Sequence, residues 1–182
     1  ERLQELANDD LYYDSLHAIR LMMAEGYEWD YDLESAISTY EEVIKNNPGT
    51  DAAAIAHYRL GLIYQYDIED YDKAREAYQE ARNEKKTAPI NEDATRRASQ
   101  LALLAQYQET EGVDTLSDTV GIDQETIDEI AENQFLLGEL FYFDLEKPDS
   151  AIHTFAEMID EFPQSKFAPQ GLISLAYIYR NE

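Results

Sequence analysis

Residues 35–48 read Ser35-Ala36-Ile37-Ser38-Thr39-Tyr40-Glu41-Glu42-Val43-Ile44-Lys45-Asn46-Asn47-Pro48, and residues 150–163 read Ser150-Ala151-Ile152-His153-Thr154-Phe155-Ala156-Glu157-Met158-Ile159-Asp160-Glu161-Phe162-Pro163. Ser35, Ala36, Ile37, Tyr40, Glu42, Ile44 and Pro48 thus return 115 positions later as Ser150, Ala151, Ile152, Phe155, Glu157, Ile159 and Pro163. The offset continues downstream, where Leu60, Ile63 and Tyr64 match Leu175, Ile178 and Tyr179. A further copy lies between, because Ala74, Tyr78 and Ala81 follow Ala36, Tyr40 and Val43 by 38 positions, and 115 is close to three times 38. Self-similarity at such a period is the signature of a repeat architecture with a unit of about 38 residues.

In every copy a small residue, an aromatic four positions later and an apolar residue three beyond share one helical face. The small residue lets two helices approach closely. A second helical pattern precedes each of these, over 54–66 and 135–143, so the unit is a helix pair. Asn47, Pro48 and Gly49 stop one helix and Phe162 with Pro163 stops another, while Thr50, Asp123 and Ser165 are suited to N-cap the next. The pattern predicts helices near 9–26, 32–46, 51–67, 70–86, 91–111, 123–144, 148–161 and from 165 onward. From Gly112 to Ile122 two Gly and several Ser, Thr and Asp predict a short, irregular or missing second helix. The expected fold is all-α, a right-handed superhelical solenoid of antiparallel helix pairs in one repeat domain. Its units would fall near 9–47, 51–88, 91–122, 123–162 and 165–182, with the last one truncated. The chain starts Glu1-Arg2-Leu3 rather than with Met and ends within a helical pattern, so it is expected to be a piece of a longer protein.

Composition agrees. Of 182 residues 44% are hydrophobic and 29% charged, which suits a folded chain, and seven Gly and five Pro are few for a strand-and-turn protein. There is no cysteine, hence no disulfide framework, thiolate nucleophile or cysteine-ligated zinc. The 39 acidic against 14 basic residues give a net charge of −25, which repels phosphate backbones and anionic lipid surfaces. Nucleic acid is therefore not an expected partner. Half of the basic residues nevertheless cluster at Lys73, Arg75, Arg82, Lys85, Lys86, Arg96 and Arg97. Arg82, Lys85 and Lys86 are expected in the last turn of a helix, complementing its dipole; the alternative is an acidic partner.

The repeated positions resemble the tetratricopeptide repeat family, whose pattern runs from a bulky residue through Leu-Gly and Tyr to Ala, an aromatic, Ala and Pro. His57, Leu60, Gly61, Tyr64, Ala74, Tyr78 and Ala81 stand at those positions in one copy, and Leu137, Gly138, Phe141, Ala151, Phe155 and Pro163 in a later one. The unit departs from the family in being longer than its usual 34 residues. One extra residue sits between the helices, and the first copy lacks the Leu-Gly pair near Met22 and Met23. Within the superfamily, the run Phe162-Pro163-Gln164-Ser165-Lys166-Phe167-Ala168-Pro169 is similar to repeats of bacterial cell-envelope proteins, such as outer-membrane assembly lipoproteins and the periplasmic partner of the Tol-Pal system. That resemblance implies a periplasmic or outer-membrane-associated location in preference to a cytoplasmic one.

The sequence holds no phosphate-binding Gly-rich loop, no Gly-x-Ser-x-Gly elbow and no His-Glu-x-x-His pair, so neither catalysis nor a cofactor is expected. Of three histidines, His57 occupies a packing position, His153 the polar side of its helix, and His17 carries no signal. Asp30, Asp32 and Glu34 alternate like the start of a calcium loop, but Ser35 stands where that loop needs its sixth-position Gly. Asp67, Asp70 and Asp72 flank a helix junction and suit caps.

Fourteen tyrosines exceed what a core demands. In the family resembled, fixed first-helix positions line a concave surface. Carried over, that rule puts Tyr58, Leu62, Gln65 and Tyr66 in a groove from one copy and Phe135, Glu139, Tyr142 and Phe143 from a later one, with Ile173, Tyr177 and Arg180 extending it. The implied function is a non-catalytic scaffold that holds a protein or peptide segment by apolar anchors and some basic residues; the alternative for these rings is packing between repeats. A rival role is self-association, including a homodimer through the C-terminal helix, whose Leu175, Ile178 and Tyr179 are expected to be uncovered. A metal-binding or enzymatic acidic loop is the remote alternative.

Overall fold

A computed structural model describes residues 15–111 and 123–181. These are all-α, with eight α-helices and no strand among the described residues. The chain divides into two compact units, residues 1–101 and 102–182. The first holds α1 (Leu16–Trp29), α2 (Leu33–Asn46), α3 (Asp51–Leu62) and α4 (Tyr71–Glu84), and the start of α5 (Asn91–Glu111). The second holds the end of α5 together with α6 (Gln124–Glu139), α7 (Pro148–Glu161) and α8 (Ala168–Asn181). Short connections make α1 and α2, α3 and α4, and α6 and α7 neighbouring pairs. No helix among the described residues is long and apolar enough to cross a membrane.

Local chemistry starts the helices where the sequence suggested. Asp32, Thr50, Asp70 and Asp123 each accept a hydrogen bond from the backbone N–H three residues on, at Ser35, Ala53, Lys73 and Thr126. Ser165 acts differently, because α8 begins three residues later than expected. Its hydroxyl accepts from the Ala168 N–H at 3.1 Å and closes a turn ahead of the helix, with Pro169 in the first helical turn, where a missing N–H costs nothing. The helix expected to stop at Gly26 runs on to Trp29, and its expected first residues, 9–14, lie outside the described region, as does the stretch from Gly112 to Ile122. α4 ends at Glu84, so Arg82 sits in its last turn and Lys85 at its C-cap, with Lys86 beyond.

The extra residue of each unit does not lengthen a loop. It is absorbed as a π-helical turn that prolongs α3 over Ile63–Ile68 and α6 over Leu140–Asp144. In consequence the Asp70 N–H donates to the Tyr64 carbonyl and the Lys147 N–H to the Phe141 carbonyl, both at 2.8 Å and six residues apart. The first copy lacks the insertion. There Asp32 donates to Tyr27 at 2.9 Å and Tyr31 to Glu28 at 3.0 Å, the pattern of a Schellman C-cap. In all three turns one non-glycine residue takes the left-handed conformation, with φ of 58° at Tyr31, 60° at Glu69 and 55° at Glu146. The same count explains the first copy's missing Leu-Gly: without the inserted residue the small position falls on Ala24, fully buried, instead of Met23.

Packing within each pair depends on that small position. The Tyr78 ring of α4 lies on Gly61 of α3, and the Phe155 ring of α7 lies on Gly138 of α6; a Cβ at either glycine would stand 2.5 or 2.6 Å from ring carbon. Ala36, Ala74 and Ala151 on the second helices are fully buried, as are Tyr40 and Tyr78. The C-terminal face departs from expectation. Ile178 is buried and Leu175 half-buried in the core of the second unit, because they point toward α7; Leu172, Ile173, Tyr177 and Tyr179 are the large apolar residues that α8 exposes.

Candidate protein-binding groove

In the first unit the expected groove residues come from α3 and its π turn, and they meet α5. Tyr58 and Leu62 are half-buried and Tyr66 is exposed, but Gln65 is 2% exposed and faces the core, where its Oε1 accepts from the Tyr78 hydroxyl at 2.7 Å. Asp93 and Arg97, four residues apart on α5, complete the arrangement. The Tyr58 hydroxyl and Arg96 both donate to the Asp93 carboxylate, and Arg97 Nε donates to it at 2.6 Å. Arg97 Nη1 donates to the Tyr66 hydroxyl at 2.8 Å, and the guanidinium lies 5.6 Å from the Tyr66 ring centroid.

Electrostatics follow this geometry. Burial works against the Asp93 carboxylate, yet hydrogen bonds from Tyr58, Arg97 and Arg96 outweigh it and hold its pKa at about 2. Burial likewise opposes the Arg97 charge, and bonds to Asp93 and Tyr66 more than offset that, fixing the guanidinium in its charged form. The Tyr58 hydroxyl is pushed up, by burial first and then by its bond to Asp93. Tyr58 and Tyr66 are therefore engaged by the chain's own α5, an arrangement the sequence did not single out. Asp93 and Arg97 at helical i, i+4 spacing carried the available signal.

In the second unit the corresponding residues form an open cleft of about 220 Å³ between α6 with its π turn and α8, lined by Glu139, Tyr142, Phe143, Ile173, Ser174 and Tyr177 over the Phe155 ring. Tyr142 meets Phe143 edge-on at 5.0 Å and Tyr177 at 6.0 Å between ring centroids. Phe143 and Ile173 are mostly exposed, and Tyr177 about half so. Arg180 is exposed one turn beyond Tyr177, outside the cleft lining. Phe135 is set behind the groove: it is 9% exposed and packs on Phe155 and Phe167, because its position faces the partner helix. The cleft is smaller than the ~300–1,000 Å³ of small-molecule sites, a size suited to a side chain of a larger ligand.

The remaining polar candidates have structural duties. His57 is half-buried 3.6 Å from Glu84; burial lowers its pKa and Glu84 opposes the shift. His153 is exposed beside Glu157. In the basic cluster Lys73, Arg75, Lys85, Arg96 and Arg97 each pair with an aspartate of this chain. Asp32 and Asp70 are occupied as helix caps.

A comparison with curated proteins returns no match. The model of the tetratricopeptide repeat family matches residues 18–50, 56–84 and 132–165, together more than half of the 182 residues. Its segments start within α1, α3 and α6, the first helices of the three pairs described above. On the strength of that match and of the paired helices themselves, the chain belongs to the tetratricopeptide repeat family.

Proposed function

We propose that the chain is a non-catalytic scaffold that holds a protein or peptide segment along the first-helix face, with the cleft of the second unit as its main anchor point. Tetratricopeptide repeats generally mediate protein–protein interaction. The observation that carries the reading is the cleft between α6 and α8, where Tyr142, Phe143 and Tyr177 present aromatic surface beside the carboxylate of Glu139. Rigid rings of this kind give large contact area at little entropic cost. The net charge of −25 favours a segment with basic residues and speeds its encounter. Tyr58, Leu62 and Tyr66 in the first unit and Arg180 in the second act as secondary contacts, while Gln65 and Phe135 each support their own unit from within. The test is affinity for a partner recovered with the chain from its source cells: Tyr142→Ala is expected to weaken binding by about 1–3 kcal/mol with helicity unchanged. Glu139→Gln should weaken binding of a basic segment as well as lower the association rate and its salt dependence. Full affinity in both variants would move the site elsewhere.

Self-association is the second reading, favoured by Leu172 and Tyr179, which lie exposed on α8 beside the cleft residues. Sedimentation in parallel with a Leu172→Glu, Tyr179→Glu double variant separates the two readings, since only the self-associating face would respond. The run from Phe162 to Pro169 supports a place in a bacterial envelope complex, which fractionation of source cells tests.

A further inference from the structure

The two units repeat each other at an offset of 77 positions, which relates Gly61 to Gly138, Tyr78 to Phe155, Tyr66 to Phe143, and Leu101 on α5 to Ile178 on α8. By the same offset, Arg97 corresponds to Ser174, Asp93 to Gln170, and Leu62 to Glu139. The first unit thus shows what this groove accepts. Between its α3 and α5 lies an arginine of the chain itself, hydrogen-bonded to the Tyr66 hydroxyl at 2.8 Å with its guanidinium 5.6 Å from the ring centroid, and neutralised by Asp93.

In the second unit the same place is vacated. Ser174 is too short to fill it, and the cleft of about 220 Å³ opens there. The carboxylate has changed sides: Asp93 gives way to neutral Gln170, while Leu62 gives way to Glu139 on the opposite wall. The Glu139 carboxylate makes no hydrogen bond or ion pair among the described residues. Phe143 keeps the ring that Tyr66 supplies in the first unit, and Tyr142 and Tyr177, edge to face at 6.0 Å, add two more. An aromatic cleft with one unpaired carboxylate, in a chain of net charge −25, is complementary to a planar organic cation.

We propose that this cleft binds an arginine side chain of a protein partner, with the guanidinium stacked among Phe143, Tyr142 and Tyr177 and paired with Glu139. The proposal rests on the protein-binding reading of the groove and names the residue it takes. Arginine is favoured over lysine because its flat, weakly hydrated head stacks on rings and gives up water at lower cost. It is favoured over an apolar side chain because the latter would bury Glu139 without a partner.

The experiment titrates the isotope-labelled chain with acetyl-Gly-Arg-Gly-amide and with the same tripeptide carrying citrulline, lysine or leucine, following backbone amide shifts. The arginine probe should move the amides of Glu139, Tyr142, Ser174 and Tyr177 and bind roughly tenfold tighter than its neutral citrulline isostere, a difference of about 1.4 kcal/mol. In Glu139→Gln that preference should vanish. In Ser174→Arg the supplied side chain should occupy the cleft in cis, so the probe no longer binds although helicity is kept. Citrulline or leucine binding the same amides as tightly as arginine would overturn the proposal and leave the groove reading standing. An arginine response that maps outside the cleft would overturn the proposal alone, and no response to any probe would count against both.

Discussion

The ring of Tyr78 rests on the α-carbon of Gly61, so close that a methyl group added to the glycine would stand 2.5 Å from ring atom Cε1. Tyr78 is fully buried and tied by its hydroxyl to Gln65, so the ring cannot swing aside. Gly61→Ala is expected to lower stability by about 1–2 kcal/mol, the overpacking cost less the gain in helix propensity. Gly138→Ala, beneath Phe155, should behave alike. Gly26 in α1 has nothing within 4 Å of its would-be Cβ, so Gly26→Ala should raise stability by about 0.5–1 kcal/mol. Urea unfolding of the three variants checks this. Equal effects at Gly26 and Gly61 would mean that the close approach is not what the glycine serves.

The turn joining each first helix to its second should be improvable. Tyr31 holds a left-handed φ of 58°, a conformation that costs a side-chain-bearing residue about 1–2 kcal/mol. Tyr31→Gly removes that strain and gives back part of it through greater freedom of the unfolded chain, for a net gain of about 0.5–1 kcal/mol. Glu146→Gly should follow in the second unit. Thermal melts that fall in both variants would mean that the side chains contribute more than the turn costs them.

Acid should loosen the first unit through Asp93. Its pKa is lowered from 3.8 to about 2, so its contribution to stability is complete above about pH 4 and is lost as pH falls toward 2. Because the side chain is 34% exposed, water screens part of this, and about 1–2 kcal/mol is expected at pH 7. Asp93→Asn should therefore be less stable than the parent at pH 7, with the difference closing between pH 4 and pH 2. A constant difference across that range would rule out the carboxylate's charge as the cause.

Much of the fold was legible because a repeated sequence states its helix faces several times. Ala36, Ala74 and Ala151, each followed by a ring four residues later, identified the buried face of the second helix in the three described pairs without reference to any single copy. The π turns were less legible: spacing revealed one surplus residue per unit, but whether it enters a loop or a helix depends on which backbone bonds close, and Asp70 to Tyr64 cannot be read from residue type. Of the groove, Tyr142 and Tyr177 were found by position alone. Gln65 and Phe135 were placed in the groove by the same rule, yet Gln65 is held inward by the Tyr78 hydroxyl and Phe135 packs on Phe155 and Phe167. Arg97 was visible only as one cation in a cluster, because its meaning lies in Tyr66 and Asp93, which come together only when α5 docks on α3.

Selection of a random peptide display library on the immobilised, folded chain is the most direct test of the central claim, that the first-helix face of the second unit holds a protein segment. The account predicts enriched peptides with at least one basic residue beside an apolar one, whose binding is lost in Tyr142→Ala and Tyr177→Ala and kept in the control Tyr31→Ala. Enriched peptides that are acidic, or that bind the two cleft variants as well as the parent, would contradict it.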